Sequence, residues 1–340
     1  MSKPVLKRVP QEGFVLPYVL LVIAMLAIAS ALTAQYFIKT SALMREIDTQ
    51  VQAQIAFANA ESQAIYSILS SNPVDGGFDL SGEEQLIPDD FLTEERDLSQ
   101  NDIWLLGNEL RIAPTEQGRV FVKVDDLSGI ISLNVAPKDY ITKLLVYLDV
   151  PEQEALSLTA ALMDYRDVDN VRQFRGAERA DYRLRSMPPP TNSPLRHYAE
   201  LYDVMGWRDA LTGIDMRRLK SLTSLNQSYP SLNRNFMSPE LKTLFPEDDD
   251  TTSDEFDIFA LAESSQAQPT NFSRVTLTYP SAEGVVWQRV IDIERRAGNP
   301  NKPFERKWLF DKVLNAEDAE RYLGAPENLK NVVYATANNL

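Results

Sequence analysis

The chain has 340 residues, no cysteine and a single histidine, and its 34 basic and 49 acidic residues give a formal net charge of -15 at pH 7. This acidity argues against nucleic-acid binding, which requires a basic face. The lack of cysteine excludes disulfides, thiolate zinc sites and cysteine nucleophiles, and one histidine leaves little scope for histidine-based catalysis. We therefore interpret the histidine, His197, as a packing or surface residue.

The N-terminal segment predicts a membrane-spanning helix. Residues 14–34 carry no charge, and at about 1.5 Å per residue such a helix covers the roughly 30 Å of a hydrocarbon layer. Lys3, Lys7 and Arg8 precede this segment. The positive-inside rule then predicts a cytoplasmic N-terminus and a globular part on the other side of the membrane.

A secretory signal cleaved near Ala29 is the alternative to a retained helix. Two features argue against it. The apolar run is longer than the roughly 7–15 residues of a signal core, and the helical pattern continues, since residues 18–72 contain neither glycine nor proline. Ile47, Val51 and Ile55 then recur at helical spacing among polar residues, which predicts an amphipathic continuation that binds partner helices.

Antiparallel strands are predicted on both sides of the middle of the chain. Residues 103–113 predict a hairpin that turns at residues 107–108, and alternating valines from Val120 to Val124 predict a half-buried strand. A second hairpin is predicted to turn between Pro280 and Gly284. A last helix is predicted from Asn315 onwards.

The middle of the chain, residues 132–246, has helical character. Pro151 and the acidic residues after it predict the first turn of one helix. A shorter helix is predicted with Ser193 as its N-cap, Pro194 as its first residue and Gly206 as its end. A helical segment thus interrupts a β-rich domain.

The most specific stretch of the sequence is "LMDYRDVDNVRQFRGAERADY". Its carboxylates and arginines follow a predicted helix, where ion pairs and caps to backbone amides are the usual role. Calcium is the alternative, because hard oxygen ligands cluster in this way, although the glycine of an EF-hand loop is missing. A carboxylate pair such as Asp164 and Asp169 also leaves acid-base catalysis open. The residues of interest are Asp164, Tyr165, Arg166, Asp167, Asp169, Gly176, Ala177, Glu178 and Tyr182.

The N-terminus resembles that of type IV pilins and type II secretion pseudopilins. The resemblance rests on a basic leader that ends at Gly13, on Phe14 and on the apolar helix that follows. It implies that a prepilin peptidase cuts after Gly13, that Phe14 becomes a methylated N-terminus and that the helix is retained. Most pilins carry glutamate at the position of Tyr18, where it pairs with the subunit above. Its absence either argues against a pilin or marks a tip subunit.

The whole chain is similar to the minor pseudopilin K family of type II secretion, chiefly through the run from Asp164 to Tyr182. The resemblance implies an α+β, pilin-like fold with a long N-terminal helix, an antiparallel sheet and a large SAM-like helical insert. It implies no enzymatic activity, an inner-membrane anchor, a periplasmic globular part, and minor pseudopilins I and J and the major pseudopilin as partners. Calcium is allowed by the resemblance, but no metal ligands are assigned, either here or in the acidic run from Pro246 to Asp257.

The predicted domains follow from this resemblance. They are a leader at 1–13, a helix at 14–72, the first part of the β domain at 73–131, the helical insert at 132–246 and the rest of the β domain at 247–340. A minor pilin of a type IV pilus and, less favoured, a membrane-anchored periplasmic hydrolase are the alternative functions.

Overall fold

A computed structural model describes residues 15–80, 103–107, 109–226, 232–246, 267–281, 284–296, 301–315 and 319. It divides the chain into two compact units, Met1–Gln54 and Ile55–Leu340. The predicted cleavage site at Gly13 and Phe14, the helix after Asn315 apart from Ala319, and nearly all of the acidic run from Pro246 to Asp257 lie outside the described residues. The amide of Ala319 donates to the carbonyl of Asn315 at 2.9 Å.

The first helix, α1, is Val15–Ser70, close to the predicted bounds. Among the described residues it is the one helix long and apolar enough to cross a membrane, which fits a transmembrane anchor. In its last turns the small side chains Ala56, Ala60 and Ala64 are buried, because they let the helix approach the sheet closely. Phe57 lies on the same face, with its ring under the guanidinium of Arg289.

The described strands form a three-stranded, a five-stranded and a two-stranded sheet, and the five-stranded antiparallel sheet has the order β10-β9-β8-β5-β4. The strands are β1 Asn72–Val74, β2 Gly77–Asp79, β3 Ile103–Leu105, β4 Leu110–Thr115, β5 Gly118–Asp126, β6 Ile131–Ser132, β7 Thr223–Ser224, β8 Phe272–Pro280, β9 Val286–Arg295 and β10 Phe304–Leu314. The alternating valines of β5 are fully buried, and β8 and β9 form the predicted hairpin around Pro280 to Gly284.

The hairpin predicted for residues 103–113 is wrong. Strand β3 pairs with β2, and β4 pairs with β5, so the two predicted arms belong to different sheets. Gly107 still turns the chain with a positive φ of 84°, and its amide donates to the carbonyl of Val124 at 2.8 Å. The Gly107-Asn108 sequence therefore predicted the turn correctly but did not predict which strands pair.

The segment between β5 and β8, from Leu127 to Leu244, is called the helical region below. Its α-helices are α2 Lys138–Tyr147, α3 Glu152–Arg166, α4 Arg179–Leu184, α5 Trp207–Ala210, α6 Met216–Leu222 and α7 Pro239–Leu244, and its 3-10 helices are Leu127–Gly129, Tyr198–Asp203 and Arg234–Phe236. With α1 and the antiparallel sheet, this arrangement confirms the α+β class.

The prediction of a helix beginning at Ser193 is wrong in both the helix type and the first residue. The chain forms a 3-10 helix only at Tyr198–Asp203, with His197 as N-cap residue. Gly206 has a positive φ of 81° and precedes α5, so it redirects the chain between two short helices. The side chain of Asn134 binds the amide and carbonyl of Leu195, which holds the preceding segment out of helical geometry.

The two ends of the helical region meet beside the sheet. Strands β6 and β7 pair in parallel, and the amide of Asn233 donates to the carbonyl of Ser128 at 2.8 Å. Gly129 lies so close to Phe236 that an added Cβ would be 2.2 Å from the carbonyl oxygen of Phe236. Because its ends are adjacent, the region fits between the paired strands β5 and β8.

Arg274 of β8 joins the helical region to the sheet. Its guanidinium forms a bidentate ion pair with Asp292 of β9 at 2.7 and 3.0 Å. The remaining donors bind the carbonyls of Lys220 and Ser221 in α6 and of Thr223 in β7. The neighbouring Asp292 charge raises the pKa of Arg274 against the effect of burial, which alone would lower it.

Candidate functional site

The chain after α3 folds back onto the helix through Asp164. This residue is fully buried, and both carboxylate oxygens accept from the amide of Gln173 at 3.2 Å. Gly176 lies directly against Asp164, since an added Cβ would come within 2.0 Å of Oδ2. Burial raises the pKa of Asp164 to about 6, and the charges of Glu178 and Asp167 add to the effect. The position of Gly176 in the motif is therefore explained by its close contact with the Asp164 side chain, which leaves no room for a Cβ.

Arg166, the last residue of α3, is turned away from the motif carboxylates. Its guanidinium donates to the carbonyls of Leu133 and Ala136 and to the sulfur of Met163. Burial lowers the pKa of Arg166 to about 10. Arg166 therefore holds residues 133–136 at the start of the helical region against α3. It does not form the ion pair with a neighbouring carboxylate that the sequence predicts.

Three carboxylates come together where the loop returns to α4. Asp167, Asp169 and Glu178 each place an oxygen within 4.8 Å of the others, and we call these three residues the acidic cluster. Glu178 is the N-cap of α4 and accepts from the Arg179 amide at 3.3 Å. Asp169 accepts from the Val171 amide at 2.7 Å. Backbone amides therefore position two of the three carboxylates.

The acidic cluster is short of hydrogen-bond donors. Oδ1 of Asp167 and Oε1 of Glu178 are buried and have no hydrogen-bond partner among the residues that the structure describes. Burial raises the pKa of both carboxyl groups, and the charge of Asp169 contributes to each rise. The cluster therefore concentrates negative charge, and the charge of Arg166 offsets part of it at Asp167.

Buried neighbours hold this loop in place. Ala177 is buried next to Glu178, and the rings of Tyr165 and Tyr182 lie 6.5 Å apart. The hydroxyl of Tyr182 accepts from the Met205 amide at 2.9 Å, and burial raises the pKa of Tyr182 to about 12. The aromatic and small residues of the motif thus pack beneath the acidic ones.

The other predicted site residues do not lie in this cluster. Tyr18, Ile47, Val51 and Ile55 are on α1, and all four side chains are exposed. The last three are the stripe predicted to bind partner helices, and each keeps at least 41% of its surface exposed. They remain available to another protein.

The sequence did not predict a cavity of about 650 Å³ where the helical region meets the sheet. His197, Tyr198 and Lys220 line one side, and Asp292 and Trp308 line another. No local pattern could indicate it, because the lining residues come from distant parts of the chain.

Comparison with known protein families gives a match to the family described as type II secretion system (T2SS), protein K, over residues 123–224. The matched segment contains the end of β5, α3, α4 and the whole acidic cluster. The match covers 102 of the 340 residues, and over that segment the chain is similar to this family.

One similar solved structure is a chain from the crystal structure of the GspK–GspI–GspJ complex from the enterotoxigenic Escherichia coli type 2 secretion system. The identity is 19%, the alignment covers 80% of this chain and 99% of that chain, and the TM-score is 0.48. A comparison with curated proteins found no match.

Proposed function

We propose that this protein is a minor pseudopilin at the tip of the type II secretion pseudopilus, where it starts assembly for protein export across the outer membrane. The match of residues 123–224 to the protein K family carries the proposal. The apolar helix α1 supports it, because a pseudopilin needs a membrane anchor before assembly. The proposed domains are those predicted above, with the helical insert at 132–246.

The tip position is supported by Tyr18 and by the bulk of the helical region. A glutamate at this depth in lipid is costly unless its charge is paired with a group on the subunit above, and a tip subunit has no subunit above it. Tyr18 carries no charge and needs no such pairing. The helical region adds a large element beside the sheet, which would obstruct a subunit above.

The proposed partners are minor pseudopilins I and J and the major pseudopilin. The exposed apolar side chains of Ile47, Val51 and Ile55 support this, since a contiguous apolar helix face is suited to packing against other helices. Lys3, Lys7 and the positive-inside rule support insertion in the inner membrane with the globular part in the periplasm.

Processing is tested first. The full chain is expressed with and without a prepilin peptidase, and its intact mass and N-terminal peptide are measured. We expect a methylated Phe14 only when the peptidase is present. A mature end near Leu32, or an uncut chain, would overturn the pseudopilin proposal.

Partner binding is tested with Val51→Glu, which adds a charge to the exposed apolar stripe. We expect recovery of co-expressed I and J pseudopilins with the full chain to fall about tenfold or more, the effect of 1.4 kcal/mol in binding. Gln50→Glu is the matched control, because it adds the same charge at an exposed polar position one residue away. Equal recovery with both variants would contradict a partner interface at the stripe.

The alternative functions have less support. The protein K match favours secretion over a type IV pilus. The hydrolase proposed for Asp164 and Asp169 requires both carboxylates to contact a substrate, whereas Asp164 is fully buried against Gly176. No feature of the described residues favours that reaction.

A further inference from the structure

The cavity between the helical region and the sheet is not used by the proposed function. Its volume of about 650 Å³ lies within the range of ligand-binding pockets, roughly 300–1,000 Å³. All of its lining residues belong to the unit Ile55–Leu340. The charges and rings of its walls therefore decide which ligand it suits.

The acidic side chains of the wall are already paired with arginines. Asp292 holds the guanidinium of Arg274 at 2.7 and 3.0 Å. Glu294 lies 3.4 Å from the guanidinium of Arg296, and Glu305 accepts a hydrogen bond from the same group. The protein itself therefore neutralises the negative charges of the cavity.

The basic side chains of the wall are paired less completely. Nζ of Lys220 donates to the carbonyl of Leu309 at 3.1 Å, but an ammonium group has three donors, and Lys220 forms no ion pair with a described carboxylate. Burial lowers the pKa of Lys220, and no carboxylate among the described residues opposes this effect. Arg196 and Lys307 are exposed at the wall and also lack an ion pair within the described part of the chain. The cavity therefore has an excess of positive charge.

Aromatic side chains form an apolar part of the wall. Lys220 lies 5.6 Å from the ring of Tyr198, which is buried. Trp308 keeps 56% of its surface exposed at the cavity. Tryptophan and arginine are enriched among the residues that contribute most to binding energy. Positive charge beside aromatic rings suits a ligand that joins a carboxylate to an apolar group.

Strand β10 adds a backbone edge to the cavity. Residues 305–309 of this strand line it, and within the described strands β10 pairs with β9 alone. An edge strand presents N–H and C=O groups with which an extended peptide can pair. A β-bulge between Trp308 and Phe310 interrupts the regular pairing with β9 at the same place, and bulges redirect side chains.

We propose that the cavity and the adjacent edge of β10 bind an extended peptide segment of another protein. A carboxylate of the segment lies at Lys220, with Arg196 and Lys307 nearby, and an apolar side chain packs against Trp308. This site does not involve the apolar stripe on α1, so it does not depend on the proposed pseudopilin partners.

The test uses the full chain in detergent and a fluorescein-labelled peptide of alternating threonine and valine that ends in glutamate and phenylalanine. Fluorescence anisotropy measures binding, and micelles without protein give the baseline. We expect saturable binding with a dissociation constant below about 1 mM. The same peptide with glutamine for glutamate and a C-terminal amide should bind at least about tenfold more weakly, because it carries no negative charge. N-acetylphenylalanine, which has the ring and the carboxylate but no strand, should also bind at least about tenfold more weakly.

Lys220→Met removes the charge but keeps a side chain of similar length, and peptide binding should weaken about tenfold or more. Lys242→Met is the matched control, because Lys242 is exposed on α7 of the helical region and does not line the cavity. Since Lys220 also binds Leu309, thermal unfolding is measured for both variants. Arg196→Gln and Trp308→Ala change exposed side chains and should each weaken binding about threefold or more.

The outcome is separable from that of the pseudopilin proposal. Val51→Glu should bind the peptide like the wild type even where it loses the I and J pseudopilins. No saturable binding up to about 1 mM peptide would overturn the peptide site. Equal binding of the uncharged peptide, or wild-type binding by Arg196→Gln and Trp308→Ala, would overturn it as well. Equally tight binding of N-acetylphenylalanine would show a small-molecule pocket and would overturn pairing with β10.

Discussion

Two groups of charged residues lie in the unit Ile55–Leu340, and they differ in how their charges are paired. Around Arg274, the carboxylate of Asp292 and three backbone carbonyls use the guanidinium donors. In the acidic cluster, Oδ1 of Asp167 and Oε1 of Glu178 lack donors among the described residues. Arg274 and Glu178 are both buried, whereas Asp169 is exposed, so the two groups differ in charge balance and partly in burial. Arg274 joins the helical region to the sheet, whereas the acidic cluster lies within the helical region.

The largest loss of stability is expected from removing the charge of Arg274. Arg274→Met leaves the Asp292 carboxylate buried without its partner, and the free energy of unfolding should fall by about 3–5 kcal/mol. Chemical unfolding of the full chain followed by circular dichroism measures this. The double variant Arg274→Met with Asp292→Asn should recover part of the loss. A single variant as stable as the wild type would show that the ion pair does not secure this junction.

A smaller loss is expected from disturbing the packing beside the acidic cluster. Gly176→Ala places a Cβ within 2.0 Å of the Asp164 carboxylate, and the overpacking should cost about 1–3 kcal/mol. Gly213→Ala is the control in the same helical region, because its Cβ would meet nothing closer than 3.7 Å. Thermal unfolding of both variants checks this. Equal stability of the two would mean that the loop moves freely away from α3.

The smallest effect is a pH dependence that arises at Asp164. Burial raises the pKa of Asp164 from 3.8 to about 6. Glu178, Asp167 and Tyr182 lie near enough to interact with this carboxyl group. The folded state then holds the proton more tightly than the unfolded state, so this contribution to stability is present below pH 4 and is lost as the pH rises through about 6.

The variant Asp164→Asn isolates that contribution, since it cannot titrate. We expect the wild type to lose stability relative to Asp164→Asn as the pH is raised from 4.5 to 7, measured by chemical unfolding at both values. A constant difference between the two proteins would show that Asp164 keeps its ordinary pKa in the fold.

The sequence predicted those features that depend on short stretches of chain. The length and apolarity of α1, the alternating valines of β5 and the proline and acidic residues that start α3 are local signals. The Asp164 to Tyr182 run is recognisable as a motif from its order of residues. The order of those residues did not show which carboxylates would meet.

Pairing and charge balance were decided only by the tertiary structure. Residues 103–113 contain a turn, yet β3 pairs with β2 and β4 pairs with β5. Arg166 is followed in the chain by the carboxylate of Asp167, but its guanidinium donates to the carbonyls of Leu133 and Ala136, about thirty residues away. Buried hydrogen-bond donors are nearly always paired, so the acceptors available in the fold decide the contact.

The sequence by itself determined that this is an acidic, cysteine-free chain with an apolar N-terminal helix, a β-rich part and a helical interruption, because composition and periodicity act locally. The tertiary structure alone decided that Arg274 pairs with Asp292 and that Asp167, Asp169 and Glu178 lie together. Hydrogen bonds and ion pairs depend on distances between residues far apart in the chain, and only the folded chain sets those distances.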